Sequence, residues 1–157
     1  STSHFAALPN ANEMAWYVMK GDPRYDADEL WSTMGYLYKG GTWFKKRAYI
    51  TGFSDSHQPD DASTDLRNTY KRLSKAVLKT LPATTEMDQY FYLPLLGYYS
   101  TSWNNYKFNA AGVTGYYWSS SAIPTNPTGS YALTINKNTA TLQDSAPTSG
   151  MIVRPFE

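Results

Sequence analysis

The sequence predicts an α+β fold with helices first and short antiparallel strands last. Three observations carry this. Apolar residues recur at helical spacing in the first half, they alternate with polar ones between 130 and 143, and charge is divided unevenly along the chain. Residues 1–88 hold 11 of the 14 Lys and Arg and 11 of the 13 Asp and Glu, whereas from Gln89 to Gln143 only Lys107 and Lys137 are charged. No Pro/Gly/Ser linker divides the 157 residues and no internal repeat is visible, so 1–157 is expected to form a single domain.

Each element has its own signal. Asn10 followed three residues later by Glu13 resembles a capping box, and Gly21 with Pro23 supplies a stop, so 11–20 reads as a helix with Met14, Tyr17 and Val18 on one stripe. Asp26 or Asp28 can open a second helix, in which Leu30, Trp31, Met34, Leu37 and Tyr38 recur at spacings of three and four before Gly40-Gly41 ends it. Residues 42–50 suit a short strand and 51–62 a polar loop. A third helix is expected from about 64 to 81, with Leu66, Tyr70, Leu73, Val77 and Leu81 as its stripe. Residues 90–96 form an aromatic run broken by Pro94, which fits an edge strand. Tyr116-Tyr117-Trp118 reads as a strand entering three serines. Tyr131, Leu133 and Ile135 alternate with polar neighbours, and Ala140 and Leu142 answer them across Asn136-Lys137-Asn138, so 130–143 is a hairpin. Residues 151–156 are expected to form the closing strand.

Composition excludes several functions. A formal net charge of +1 gives no strong attraction to nucleic acid, and no apolar stretch reaches the roughly 18 residues of a spanning helix. The absence of cysteine removes thiolate metal sites, thiol nucleophiles and disulfides. Ser1-Thr2-Ser3-His4 has neither the basic nor the apolar region of a signal peptide, so any leader or anchor is expected to lie outside this sequence. His4 and His57 have no evident catalytic company. Asp60, Asp61 and Asp65 read as the acidic start of the third helix, and Arg67, Lys71, Arg72, Lys75 and Lys79 as its solvated flank. No catalytic or nucleotide-binding motif is present, and neither an enzymatic activity, a metal nor a cofactor is expected.

The second half has the composition of a recognition surface. Tyrosine supplies rigid amphipathic area, while serine, glycine and asparagine supply adaptable hydrogen bonds. The chain holds 14 tyrosines, half of which the element pattern assigns to packing, so the weight falls on the polar loops at 123–130 and 143–149. The candidate ligand contacts are Asn104, Asn105, Tyr106, Ile123, Thr125, Asn126, Tyr131, Gln143, Asp144, Thr148 and Ser149. Gln58-Pro59-Asp60 and Trp103-Asn104-Asn105 resemble the two tripeptides that ligate calcium and sugar in C-type lectins. Here Asn105 replaces a carboxylate that calcium favours.

A wider resemblance rests on Gly115-Tyr116-Tyr117-Trp118-Ser119-Ser120-Ser121, Tyr131-Ala132-Leu133 and Gly150-Met151-Ile152-Val153-Arg154-Pro155. Upstream it takes in Asn10 to Tyr17, Met19-Lys20-Gly21-Asp22-Pro23, Gly40 to Lys46 and Tyr92-Leu93-Pro94. This ordered set resembles the Fibrobacter succinogenes major paralogous domain and related Bacteroides-type surface and pilus-tip adhesin proteins. The resemblance implies a C-type-lectin-like fold, shared with formylglycine-generating enzymes and with variable proteins of diversity-generating retroelements. The enzymes act through cysteines and this chain has none, so their activity is not implied. The retroelement relatives vary on the final strands and loops, which correspond here to 123–130 and 143–149. The expected function is therefore a non-catalytic, adhesin-like recognition domain at the C-terminus of a longer bacterial cell-surface or pilus-tip protein, not itself membrane-spanning. Its ligand would be a protein or glycan on a host or neighbouring cell. The alternatives are an assembly module contacting other appendage subunits, or a carbohydrate-binding lectin.

Overall fold

A computed structural model describes residues 8–102, 105–145 and 154–157, with 99–102 and 105–109 described through their backbone. It contains one α-helix among these residues, α1 (Ala11–Lys20), and nine strands. The strands are β1 (Arg24–Thr33), β2 (Tyr36–Lys45), β3 (Leu73–Ala76), β4 (Tyr90–Pro94), β5 (Tyr98–Ser102), β6 (Asn105–Asn109), β7 (Thr114–Ile123), β8 (Asn126–Asn136) and β9 (Thr139–Ser145). They form a three-stranded sheet in the order β1-β2-β4, a four-stranded sheet in the order β3-β9-β8-β7, and a β5-β6 ribbon. All pair antiparallel within their sheets.

Helix α1 forms where its local chemistry requires. The Asn10 side chain accepts from the Glu13 amide and Glu13 returns a carboxylate oxygen to the Asn10 amide, completing the capping box. At the other end Gly21 lies so close to the Tyr17 carbonyl that a Cβ would collide with it. The helix buries Met14, Tyr17 and Val18 against Phe44, Phe91 and Leu93 of one sheet and Leu133, Ile135 and Leu142 of the other, in one contiguous core. Tyr17 is its aromatic centre, with edge contacts to Phe53, Phe91 and Phe156.

The polar loop at 51–65 is held from α1. Buried Asn12 donates to the Asp55 carbonyl (3.1 Å) and an Asp65 carboxylate oxygen (2.8 Å), and accepts from the Leu66 amide (2.9 Å). Asn10 donates to the Asp55 carbonyl and the Trp16 indole to the His57 carbonyl. Side chains of α1 and its cap thus satisfy the Asp55 and His57 carbonyls and the Leu66 amide, which have no ladder partner.

The chain is mixed α+β, but two of the expected N-terminal helices do not exist. In place of the second stands the β1–β2 hairpin. Met34 and Gly35 have φ of 52° and 79°, the paired positive values of the turn that best matches the twist of a two-residue hairpin. Trp31 faces Tyr38 across the ladder and stacks on it at 5.0 Å, so the three-and-four spacing reflects cross-strand partners. Gly40-Gly41 is no helix stop, since the Tyr92 ring lies where a Gly41 Cβ would be. The third helix is replaced by turns and β3. Asp65 draws the Arg67 amide to its carboxylate, Asn12 takes the Leu66 amide, and Leu73 pairs with Leu142 of β9. Strand β2 ends at Lys45 and gives way to a 3-10 turn at Arg47–Tyr49. Of the expected closing strand, 151–153 lie outside the described residues and 154–156 form no strand. One helix against small open sheets overturns the expected C-type-lectin-like architecture of several N-terminal helices on C-terminal strands.

Two outcomes follow from this packing. Asn12→Ala orphans the Leu66 amide and removes a partner of Asp65, so it should lower stability by about 3 kcal/mol, read from the urea midpoint. Burial pushes the Tyr17 and Tyr131 phenols up to about 12 and raises those of Tyr90, Tyr92 and Tyr117 as well. The unfolded chain ionises its phenols near pH 10, so this contribution is complete below about pH 10 and is lost as pH rises toward 12. A phenolate titration of the native chain should show a late step coinciding with unfolding, absent in denaturant.

Candidate functional site

The described parts of the segments marked by composition, 123–130 and 143–145, meet at one end of the four-stranded sheet. Strands β7 and β8 are joined through Pro124-Thr125, with Ile123 paired to Asn126. The register then slips: Ala122 faces Ser130, so Pro127, Thr128 and Gly129 loop out of the ladder. The loop holds its own shape, because Thr128 donates its hydroxyl to Asn126 Oδ1 at 2.6 Å. With that oxygen engaged, the amide's remaining capacity is chiefly that of a donor.

A second slip sets Ser119, Ser120 and Ser121 opposite Tyr131 alone. This explains the serine run. Ser121 Oγ accepts from the Ala11 amide at 3.0 Å and the Ser120 amide donates to the Pro9 carbonyl, which ties the β7 bulge to the first turn of α1.

Tyr131 sits beneath the end of the sheet. Its hydroxyl donates to the Leu66 carbonyl at 2.8 Å and accepts from the Lys71 amide at 3.3 Å. Its ring lies under Tyr70, centroids 5.6 Å apart at 24°. Tyr70 in turn donates its hydroxyl to Asp144 Oδ1 at 2.9 Å and accepts from the Asp144 amide at 3.3 Å. Burial raises the Tyr70 phenol, so at neutral pH it stays a donor to that carboxylate. Beside it the Arg72 guanidinium donates to Gln143 Oε1 at 3.3 Å.

These groups enclose a cavity of about 240 Å³ lined by Tyr70, Ile123, Thr125, Asn126, Thr128, Gly129, Asp144 and Ser145. Its wall combines an aromatic ring, one aliphatic side chain, hydroxyls, an amide and one carboxylate. At Gly129 a Cβ would meet the Ser145 carbonyl at 3.4 Å and Ile123 at 3.5 Å, ordinary contact distances to two residues of the cavity wall.

Of the residues anticipated from sequence, Ile123, Thr125, Asn126 and Asp144 line this cavity together. Gln143 stands beside it, bound to Arg72. Tyr131 is fully buried and supports Tyr70 from below, so it presents nothing to a ligand. Asn105 and Tyr106 belong to β6, in the separate ribbon. Asn104, Thr148 and Ser149 lie outside the described residues. Sequence reasoning missed Tyr70, which the helical stripe assigned to packing, and it did not single out Thr128, Gly129 and Ser145 within the loops it had marked.

The other candidates resolve differently. Among the described residues no group of three or more His, Asp or Glu could hold a metal ion. Gln58 is buried and its amide oxygen accepts from the Asp60 amide, while Trp103 and Asn104 lie outside the described residues. Hydrogen bonds from Ser63 and Thr64 engage the Asp61 carboxylate and hold it down to about 2. Arg67 pairs with Asp65 at 2.8 Å, and no helix exists to gather the basic residues on one flank.

No protein-family model matches the chain, and no curated protein or solved structure matches it significantly. The open topology of small sheets overturns the C-type-lectin-like assignment, and nothing found links the chain to the cell-adhesion, pilus-tip and retroelement-variable assignments suggested by the motif resemblance.

Tyr131 and Tyr70 should respond differently to loss of the hydroxyl. Tyr131→Phe leaves the Leu66 carbonyl and Lys71 amide without their partner and should cost about 1–3 kcal/mol, whereas Tyr70→Phe, at the surface, should cost less than about 1 kcal/mol. Paired urea denaturation curves check the contrast.

Proposed function

We propose that this chain is a non-catalytic recognition domain whose cavity between the β7–β8 loop, the end of β9 and Tyr70 receives one protruding group of a partner, a protein side chain or a terminal sugar. An extracellular setting belongs to the same proposal. The observation that carries it is convergence: four residues chosen for recognition chemistry line one preformed space, and a buried tyrosine fixes its aromatic wall. The volume suits a single side chain or sugar ring rather than a whole cofactor, for which pockets of roughly 300–1,000 Å³ are usual.

The chemistry favours a neutral, hydrogen-bonding group with a small apolar face. Tyr70 and Ile123 offer apolar contact, Asp144 accepts, and Asn126 and the threonine hydroxyls donate or accept. No histidine, lysine or arginine is among the described residues lining the space, and Asp144 is its one carboxylate.

Gly129→Trp and Thr125→Trp fill the cavity without disturbing the Tyr131 contacts. On a printed glycan array and a peptide array, the wild-type chain should give discrete hits that both variants weaken by about tenfold or more. Hits that survive both substitutions unchanged would place recognition elsewhere and refute the reading.

A further inference from the structure

The polar groups of the cavity wall are engaged unevenly. Asp144 Oδ1 accepts from the Tyr70 hydroxyl at 2.9 Å, while Oδ2 has no hydrogen-bond partner among the described residues. Asn126 Oδ1 accepts twice from Thr128, from its hydroxyl at 2.6 Å and its amide at 3.4 Å. Asn126 Nδ2 donates to no described residue. The wall thus holds one free group that only accepts, Asp144 Oδ2, and one that only donates, Asn126 Nδ2. Thr125 adds a hydroxyl that makes no bond among the described residues. The charge of Asp144 is offset from beside the cavity: Arg72, bound to Gln143, acts on the Tyr70 phenol in the opposite sense to Asp144.

We propose that the group received is a terminal pyranose, held directly by two neighbouring hydroxyls; this rests on the recognition reading above and narrows it to one ligand class. Hydroxyls match the wall because each both donates and accepts. One donates to Asp144 Oδ2 and its neighbour accepts from Asn126 Nδ2. An ammonium has nothing to offer Asn126, and its charge gains little where Arg72 already offsets Asp144. A carboxylate or phosphate satisfies Asn126 but meets Asp144 with like charge. A side-chain carboxamide carries the right donor and acceptor but not the size. The cavity of about 240 Å³ has room for about eight waters, of which a carboxamide displaces only a few. A pyranose fills the space and lays its C–H face on the Tyr70 ring, which Tyr131 holds in place.

Methyl glycosides of glucose, galactose, mannose, N-acetylglucosamine, fucose and xylose, titrated to about 50 mM, test this in the amide NMR spectrum of the chain. At least one should shift the signals of Thr125, Asn126 and Asp144, equally with and without EDTA. Among its deoxy derivatives, two at neighbouring positions should bind about tenfold or more weakly. Asp144→Asn keeps Oδ1 for Tyr70 but turns the free acceptor into a donor. Asn126→Asp keeps Oδ1 for Thr128 but turns the free donor into an acceptor. Each should weaken the glycoside by about tenfold or more, with thermal melts establishing that both variants fold. Acetyl-glutamine methylamide, the carboxamide probe, should leave the three signals in place. Glycosides that shift none of these signals, that bind both variants undiminished or that need calcium overturn the proposal. So does a carboxamide probe that shifts the three signals where no glycoside does. If peptide-array hits sensitive to Gly129→Trp and Thr125→Trp accompany that failure, the recognition reading stands without the sugar. If neither array gives such hits, both readings fall.

Discussion

A single buried amide sets the position of everything at the far end of the four-stranded sheet. Asn12 projects from α1 and engages Asp55, Asp65 and Leu66, three points on a segment with no ladder of its own. An amide has the right inventory, with two donors and an acceptor on one short rigid side chain. With Leu66 fixed, its carbonyl becomes a set point for the Tyr131 hydroxyl, and the Tyr131 ring then fixes the plane of Tyr70. Tyr70 in turn holds Asp144. Four consecutive contacts lead from the helix to the cavity wall, and the first two, both buried, leave a polar group unsatisfied if broken.

The parts of this fold legible in the sequence are those specified locally. The α1 cap is written in Asn10 and Glu13, three residues apart, and needs nothing from the rest of the chain. The β8–β9 hairpin is equally local: Asn136 Oδ1 accepts from the Asn138 and Thr139 amides and shapes the turn by itself. The β1–β2 hairpin defeats the same method, because a two-residue turn pairs residues whose spacings imitate a helical stripe. Its decisive signal, a left-handed Met34 ahead of Gly35, is uncommon for a residue with a side chain. Residues 64–81 mislead for another reason. Leu66, Leu73 and Val77 are indeed buried, but the backbone between them is claimed by Asn12, Asp65 and Tyr131 before a helix can take it.

The candidate site was half legible for a related reason. Composition identifies loops too polar to be core, and Ile123, Thr125, Asn126 and Asp144 were found that way. Tyr70 was not, because its role depends on strand β3 meeting β9 seventy residues later in the chain. Tyrosine abundance proved a poor guide to recognition. Tyr17, Tyr117 and Tyr131 are fully enclosed, and each spends its hydroxyl on a main-chain or guanidinium partner inside the fold.

The bond between Ser121 and Ala11 spans 110 positions of sequence. During synthesis the helix emerges from the ribosome first, yet one of the donors of its opening turn waits for a hydroxyl that arrives about two-thirds of a chain later. Until then the nascent chain exposes an apolar stripe whose partners, Leu133, Ile135 and Leu142, have not been made. High sequence separation of this kind slows folding and lengthens the interval in which a chaperone or a neighbouring chain competes for the same surface. The serine bulge therefore satisfies a donor of the helix's opening turn that must wait until β7 has been made.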